Sequence, residues 1–585
     1  MYLKLTKTDW DSIRFVVTCR QKDYQYLEKE KTSIFIYGYP FNYSTNSWIS
    51  ASDVYNLYLR GELSFIDKIE GVYTIVILDK IKKKCFIIVD RYGIYTLFYS
   101  RNDDYIILSD VISDIATHMS SVRLNKQSIL EYINFGFKLG NKTHIEYVYE
   151  FEASRIYEIS QELKITEKPY WELQGDLEKA KITQEEFLTI FNAHIAAAMN
   201  LSEKICLPLT GGLDTRTILS ACIPEKERLH CYTHGLKNAS DVKLAQTICN
   251  QLRIRHSFYE LSEGWIKTIP SMAKSNAEML NGLVPTINLM HVEESYTKES
   301  AEGDLLISGM MGNEIWRCLF GSKVANCTNV DDVSMVITKQ IMTDMNPNVI
   351  CVYVDYNDRE VINLLRESVK TELLSGKGNT DPVALSETFV FRNYCSNWAS
   401  NTTKAMGKHF RVFAALLHRD LLQDIRLMSL AEKVNGSIQK YTIISNNSYL
   451  ANLPLEVINT GGTVTGKWSH RCKSYIRSFI VLSKVAIILI SRRFLKGSCA
   501  MHIPTYTDYP MWLRSYHRDF ILEVISYEKM ATKELFKKDE LENAVSAFLN
   551  GDASLTPFII RLISLELWLK TITEGKEVTI GNQRM

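Results

Sequence analysis

The stretch Ile205-Cys-Leu-Pro-Leu-Thr210-Gly211-Gly212-Leu213-Asp214-Thr215-Arg216 is the part of the chain best equipped for chemistry. An apolar run leads into a hydroxyl, two glycines, a carboxylate and a second hydroxyl, and an apolar helical pattern follows. Such a bend suits anion capture. Glycines let the backbone approach a ligand closely, free N–H groups at a helix start favour phosphate, and the hydroxyls of Thr210 and Thr215 can donate to its oxygens. A carboxylate at 214 is out of place beside phosphate unless a cation lies between them, which points to Mg²⁺. There is no Gly-Lys-Ser/Thr, so this is not the Walker phosphate loop. The competing structural reading is a Gly-Gly turn with Asp214 as a helix cap.

The elements that must position this bend follow a strand, turn, helix rhythm. A further strand at Leu229-His-Cys-Tyr-Thr-His and a helix from Val242 to Leu252 predict a parallel α/β sheet. The first 120 residues read differently. Thr32-Ser-Ile-Phe-Ile-Tyr-Gly, Gly71-Val-Tyr-Thr-Ile-Val-Ile-Leu, Lys84-Cys-Phe-Ile-Ile-Val and Asp104-Tyr-Ile-Ile-Leu are short β-branched or aromatic runs separated by turn residues, which predicts an antiparallel sheet or sandwich. Residues 121–195 are polar and compatible with a helical connection, with Phe187, Ile190, Phe191 and Ile195 on one helical face. Beyond about 330 most segments have helical periodicity. The expected division is 1–120, 121–195 and 196–585.

Composition limits the alternatives. A chain of 585 residues predicts several domains. Lys and Arg number 68 against 67 Asp and Glu, so no global field favours nucleic acid. The 12 cysteines include no Cys-x-x-Cys, which argues against a zinc site or a disulfide framework. The first residues lack the pattern of a signal peptide, making the cytoplasm the expected compartment. The apolar run 479–490 makes a helix of roughly 18 Å, too short for about 30 Å of hydrocarbon. With basic residues flanking it across 471–496, it reads either as a buried core helix or as a peripheral membrane contact.

Thr210-Gly-Gly-Leu-Asp-Thr-Arg closely resembles the pyrophosphate loop, Ser-Gly-Gly-Leu-Asp-Ser, of the asparagine synthetase family, which includes β-lactam synthetases and lasso-peptide cyclases. Tyr232-Thr-His-Gly-Leu with Asp241 looks like the family's second strand and helix, whose backbone near Thr233 and His234 would face adenine. Leu305-Leu-Ile-Ser308-Gly309-Met310-Met311-Gly312-Asn313-Glu314 looks like its second phosphate and metal segment, usually Ser-Gly-x-Gly-x-Asp-Glu. Arg411 to Leu422 resembles a later buttressing helix, with His418 where Asp is usual. The run from Leu63 through Gly71-Val-Tyr-Thr and Asp90-Arg91-Tyr-Gly93 is similar to the core of a class II glutamine amidotransferase domain.

The resemblance implies a fold: an α+β N-terminal sandwich of the class II amidotransferase (Ntn-hydrolase) kind, then an α/β PP-loop ATP-pyrophosphatase domain with a mostly helical C-terminal part. It implies ATP on Thr210, Gly211, Gly212, Leu213, Asp214, Thr215, Thr233, His234, Ser308 and Gly309, with Mg²⁺ shared by Asp214, Asn313 and Glu314. Lys467, after Leu453-Pro454, is the candidate for the family's charge-stabilising lysine, with an exposed loop lysine as the alternative. Arg216 is a second candidate for neutralising phosphate.

Three departures redirect the expectation. Residue 2 is Tyr where class II glutaminases use a nucleophilic Cys, and Cys19 reads as structural, so glutamine hydrolysis is not expected. Asn313 is a neutral metal ligand. Met310 stands where asparagine synthetases carry Glu, and a thioether moves no proton. The expected activity is adenylation of a carboxylate and transfer of the acyl group to an amine, on a small-molecule or peptide substrate bearing both groups. The alternatives are an ammonia-fed asparagine synthase and a non-catalytic nucleotide- or partner-binding scaffold.

Overall fold

The computed structural model describes the chain except at residues 9, 18–21, 44, 62, 174–181, 343–357, 376–379, 456–462, 466–505 and 582–585. Lys467, Cys19 and the run 471–496 therefore lie outside the described residues. Among the described residues no helix is long and apolar enough to cross a membrane.

Two sheets make the N-terminal part. A seven-stranded sheet contains β2 (Tyr24–Lys29), β3 (Thr32–Asn42), β4 (Ser47–Trp48), β5 (Ile69–Asp79), β6 (Lys84–Val89), β11 (Arg155–Ile159) and β12 (Ile165–Pro169). A four-stranded sheet contains β1 (Tyr2–Thr6), β7 (Phe98–Arg101), β8 (Tyr105–Ser109) and β10 (Val148–Glu150). The four runs expected as strands are β3, β5, β6 and β8, and Gly93 takes the left-handed φ of +65° that its turn requires. β3 and β5 pair antiparallel and are buried on both faces. Alternate residues sort into two cores. Ile34, Ile36, Tyr73, Ile75 and Ile77 pack with helix α1 (Ala51–Gly61), while Phe35, Tyr37, Val72, Val76 and Leu78 join the main core with Leu3 and Leu97.

The expectation of a helical connection over 121–195 needs correction. Helices do form at Lys126–Phe135 and at Gln184–Met199, the second opened by a Thr183–Glu186 capping box and burying Phe187, Phe191 and Ile195. Between them lie β10, β11 and β12, and β9 (Ser121–Asn125) precedes them. β12, Ile-Thr-Glu-Lys-Pro, is an edge strand with four exposed residues, so it carries no alternating apolar signal.

The remaining strands make a parallel sheet of five in the order β15-β14-β13-β16-β17, where β13 is Ile205–Pro208, β14 Leu229–Gly235, β15 Arg255–Glu260, β16 Leu305–Ser308 and β17 Arg411–Ala414. Helix α2 (Leu213–Cys222) follows β13 and α3 (Ser240–Leu252) follows β14. Most later elements are helical, including α4 (Ser437–Asn446) and the buried α5 (Thr556–Thr573). The end of the described chain returns to its first part: Arg561 donates to the carbonyls of Ile133 and Asn134, and β18 (Glu577–Gly581) pairs with β9.

The two parts also touch directly. Tyr39 Oη donates to the carbonyls of Gly407 (3.0 Å) and Phe410 (2.8 Å), just before β17. Tyr43 is hydrogen-bonded to His194 Nδ1, and the His194 ring lies 4.7 Å from that of His418.

Candidate functional site

The strand order itself marks a place. The chain steps from β13 to β14 to β15 in one direction across the sheet, then returns beside β13 as β16 and continues to β17. The order reverses between β13 and β16, and ligands of open parallel sheets bind at the carboxyl ends of the strands flanking such a reversal. The bend 210–215 leaves β13 there, and Ser308-Gly309 leaves β16 beside it. A Cβ on Gly309 would lie 3.6 Å from Thr215 N, so the two segments are in contact.

Local chemistry explains the bend. Ile205, Cys206 and Leu207 are buried strand residues, and Leu209 N still donates to Tyr232 O at 2.9 Å. Pairing then ends and side chains take over. Gly211 N donates to Asp241 Oδ1 (2.9 Å), Gly212 N to Thr210 Oγ1 (3.2 Å), and Thr210 N to Thr215 Oγ1 (3.3 Å). Neither Gly211 nor Gly212 has a positive φ. Turn geometry is therefore not what glycine supplies here. The nearest atom a Cβ on Gly212 would meet is Thr210 Oγ1 at 3.4 Å, so the Gly212 side of the bend stays open to the close approach of an anion, while Gly211 is buried.

Asp214 lies in the first turn of α2 and points across to the segment after β16. Gln439 Nε2 donates to its Oδ1 at 2.6 Å, while Arg317 Nη2 reaches Oδ1 at 3.3 Å and Oδ2 at 3.1 Å. Burial raises the Asp214 carboxyl above its ordinary range, and the Arg317 charge and the Gln439 amide pull it back. Glu314 is likewise pushed up, first by burial and further by the Asp214 charge. Asn313 is exposed.

The expected sharing of Mg²⁺ by Asp214, Asn313 and Glu314 does not fit this arrangement. Both Asp214 oxygens already accept from cationic or amide N–H groups, Asn313 brings no charge, and no set of three His, Cys, Asp or Glu side chains suited to a metal occurs among the described residues.

Arg216 also stands elsewhere than expected. It is fully buried, donating to the carbonyls of Gly211 (3.3 Å), Leu453 (3.0 Å) and Pro454 (2.7 Å). Burial without a carboxylate partner pushes its guanidinium down to about 10. Its side chain ties the 453–454 turn to the glycine bend.

Thr233 and His234 end β14. Thr233 Oγ1 donates to Leu209 O at 2.7 Å and lies 3.0 Å from His256 Nε2. Burial lowers His234 to about 4, and the rings of His291 and Tyr506 lie 5.1 and 6.4 Å from it. Leu236 N donates to Tyr506 O at 3.1 Å, so a segment distant in sequence shares this end of the sheet.

Beyond β16, Met310 Sδ accepts from Thr403 Oγ1 at 3.2 Å. Met311 adopts a left-handed φ of +66°, where the Ser-Gly-x-Gly pattern carries glycine. His418, at the Asp position of the pattern, packs at a tilt against His194 and lies 4.9 Å from the Tyr43 ring.

Sequence reasoning missed Arg317 and Gln439. Arg317 had a signal, a cation three residues after an expected metal-binding carboxylate. Gln439 had none, being 225 positions from Asp214.

The model of the glutamine amidotransferase domain family matches residues 41–171. The "Putative asparagine synthetase (glutamine-hydrolyzing) 2" of Methanocaldococcus jannaschii is 22% identical over 265 residues, 43% of this chain and 49% of that protein. The asparagine synthetase (glutamine-hydrolyzing) 2 of Bacillus subtilis is 25% identical over 221 residues, 34% of this chain and 29% of that one. The chain thus spans half or less of the length of the curated relatives it matches. Among solved structures, an NH3-dependent NAD synthetase from Campylobacter jejuni overlaps 37% of this chain and 96% of its own at 13% identity and a TM-score of 0.21. A glutamine phosphoribosylpyrophosphate amidotransferase from B. subtilis overlaps 40% and 46% at 11% identity and a TM-score of 0.16. Overlaps that slight carry no argument about fold, which rests on the strand order and pairing above.

Proposed function

We propose that this member of the asparagine synthetase family, with an amidotransferase-like domain in its N-terminal part, is an ATP-dependent ligase that joins a carboxylate to an amine. The observation that carries this reading is the meeting of the bend 210–215 with Ser308-Gly309 at the reversal between β13 and β16. There the first N–H groups of α2 and the hydroxyls of Thr210 and Thr215 hold the triphosphate, with the end of β14 beside adenine.

A carboxylate oxygen of the substrate attacks the α-phosphorus, and the bond to the β-phosphate oxygen breaks to release pyrophosphate. The amine nitrogen then attacks the acyl carbon, the bond to AMP breaks, and the amine loses a proton. N–H donors fixed before the reaction stabilise the growing phosphate charge. Met310, a thioether, takes no proton.

Glutamine is not the nitrogen source in this reading. Tyr2 opens β1 at the place of the family's nucleophile, and Cys85, the one described cysteine of the two N-terminal sheets, is buried with its thiol pushed upward. Free ammonia feeding an asparagine-forming reaction is the nearest variant. The second reading, a nucleotide-binding scaffold without turnover, is favoured by the thioether at 310 and the arginine already seated on Asp214.

Substrate-dependent pyrophosphate release tests the proposal, with Asp214→Ala as the inactive control. Turnover with amine-bearing carboxylates supports the ligase, and turnover with aspartate and ammonium supports the asparagine-forming variant. ATP binding without turnover in any substrate pool supports the scaffold.

A further inference from the structure

From the contacts around Asp214 we infer that this site grips a polyphosphate without a divalent metal, Arg317 serving as a built-in cation where a magnesium ion was expected. The inference rests on the nucleotide-binding reading above and goes further, because it names which charge meets the phosphates.

Arg317 follows the turn Gly312–Trp316, and its side chain is about one-fifth exposed. One terminal nitrogen serves both oxygens of Asp214; among the described residues the rest of the guanidinium has no acceptor, and its buried Nε is left unpaired. The fork geometry of arginine can hold a carboxylate on one edge and a phosphate on another. Lys440, on α4 next to Gln439, lies close enough for the Arg317 charge to lower its ammonium, after burial has done so. Arg317 and Lys440 against Asp214 and Glu314 give the same charge count as one divalent ion between two carboxylates. Magnesium would have to displace Arg317 from Asp214 and would meet the neutral Asn313 in return.

The test is calorimetric titration of the full chain with ATP and with inorganic tripolyphosphate, once in EDTA and once in excess Mg²⁺. The expected result is binding in EDTA within about threefold of that in Mg²⁺. Arg317→Ala should weaken binding in EDTA by about tenfold or more, the loss of a charge-assisted contact, and freeing Asp214 should make binding magnesium-dependent. Arg317→Lys, which keeps the charge and is the milder change, should retain part of the EDTA affinity.

Wild-type binding that requires Mg²⁺, or EDTA binding indifferent to Arg317→Ala in folded protein, would overturn the inference while leaving the ligase reading intact. Absence of binding to either probe under both conditions would overturn both.

Discussion

Gly312 lies so close to Asp214 that a Cβ on it would stand 2.5 Å from the carboxylate carbon and 2.8 Å from Leu416 Cδ1. The carboxylate cannot simply swing aside, being held by Arg317 and Gln439. Gly312→Ala is therefore expected to displace Asp214, costing about 1–3 kcal/mol of stability as overpacking. It should also slow pyrophosphate release by about tenfold to a hundredfold through misplacement of the bend. Gly309→Ala provides the contrast in thermal unfolding. Its new Cβ would crowd only the flexible end of Ile218, at 3.2 Å, and would meet the backbone of Asp214 and Thr215 at an ordinary 3.6 Å, so its melting temperature should fall less.

Arg216 distinguishes a clamp from a charge. Removing it by Arg216→Met leaves the buried carbonyls of Gly211, Leu453 and Pro454 without their donor, an expected loss of about 2–4 kcal/mol. Arg216→Lys is the informative variant. Were the side chain there to offset phosphate charge, lysine would largely restore the melting temperature and ATP affinity; a compact ammonium cannot span the carbonyls of 211, 453 and 454, so the stability loss should persist.

What the sequence disclosed follows from how each element is held. β3, β5, β6 and β13 are legible because burial makes them continuous apolar runs. The bend is legible because its hydroxyls, glycines and carboxylate are contiguous. β12 is hidden because an exposed edge strand needs no apolar residues, and β18 because its partner β9 lies far away in sequence and is reached only once α5, just before β18, has docked on the first part of the chain. Arg216 misled for a related reason: its position in the motif is local, whereas its acceptors at 453 and 454 are supplied by the fold. The amide contact to Asp214 was similarly hidden, since it needs α4 to deliver Gln439.

The junction between the two parts carries an acid-sensitive pair. His194 and His418 pack against each other at a tilt, both beside Tyr43 and His194 also beside Phe413, and burial holds His418 down to about 4 and His194 well below its ordinary value. Asp420 opposes the shift at His418, while Arg419 and Arg91 reinforce it. The native state keeps these imidazoles neutral, whereas the unfolded chain protonates near 6.5. Their stabilisation is thus present above pH 6.5 and is lost as pH falls towards 4, by roughly 3 kcal/mol for His418. His418→Phe, which keeps a ring and removes the titration, should flatten the fall in urea midpoint between pH 7 and pH 4.5. An unchanged slope would remove His418 as its cause.

Asp23 should act in the opposite direction. Its side chain is buried, Oδ1 has no hydrogen-bond partner, and burial with the nearby Asp110 charge pushes the carboxyl up to about 7, against the pull of Tyr95 and Lys404. A raised carboxyl holds its proton in the native state after the unfolded chain has released it. Its contribution is present below about pH 4 and disappears as pH rises through 7, a swing of roughly 4 kcal/mol. Asp23→Asn keeps the shape and a neutral group, so it should leave the urea midpoint at pH 4 little changed and raise it at pH 8. Equal midpoints for variant and wild type at both pH values would show that Asp23 titrates normally in the folded chain.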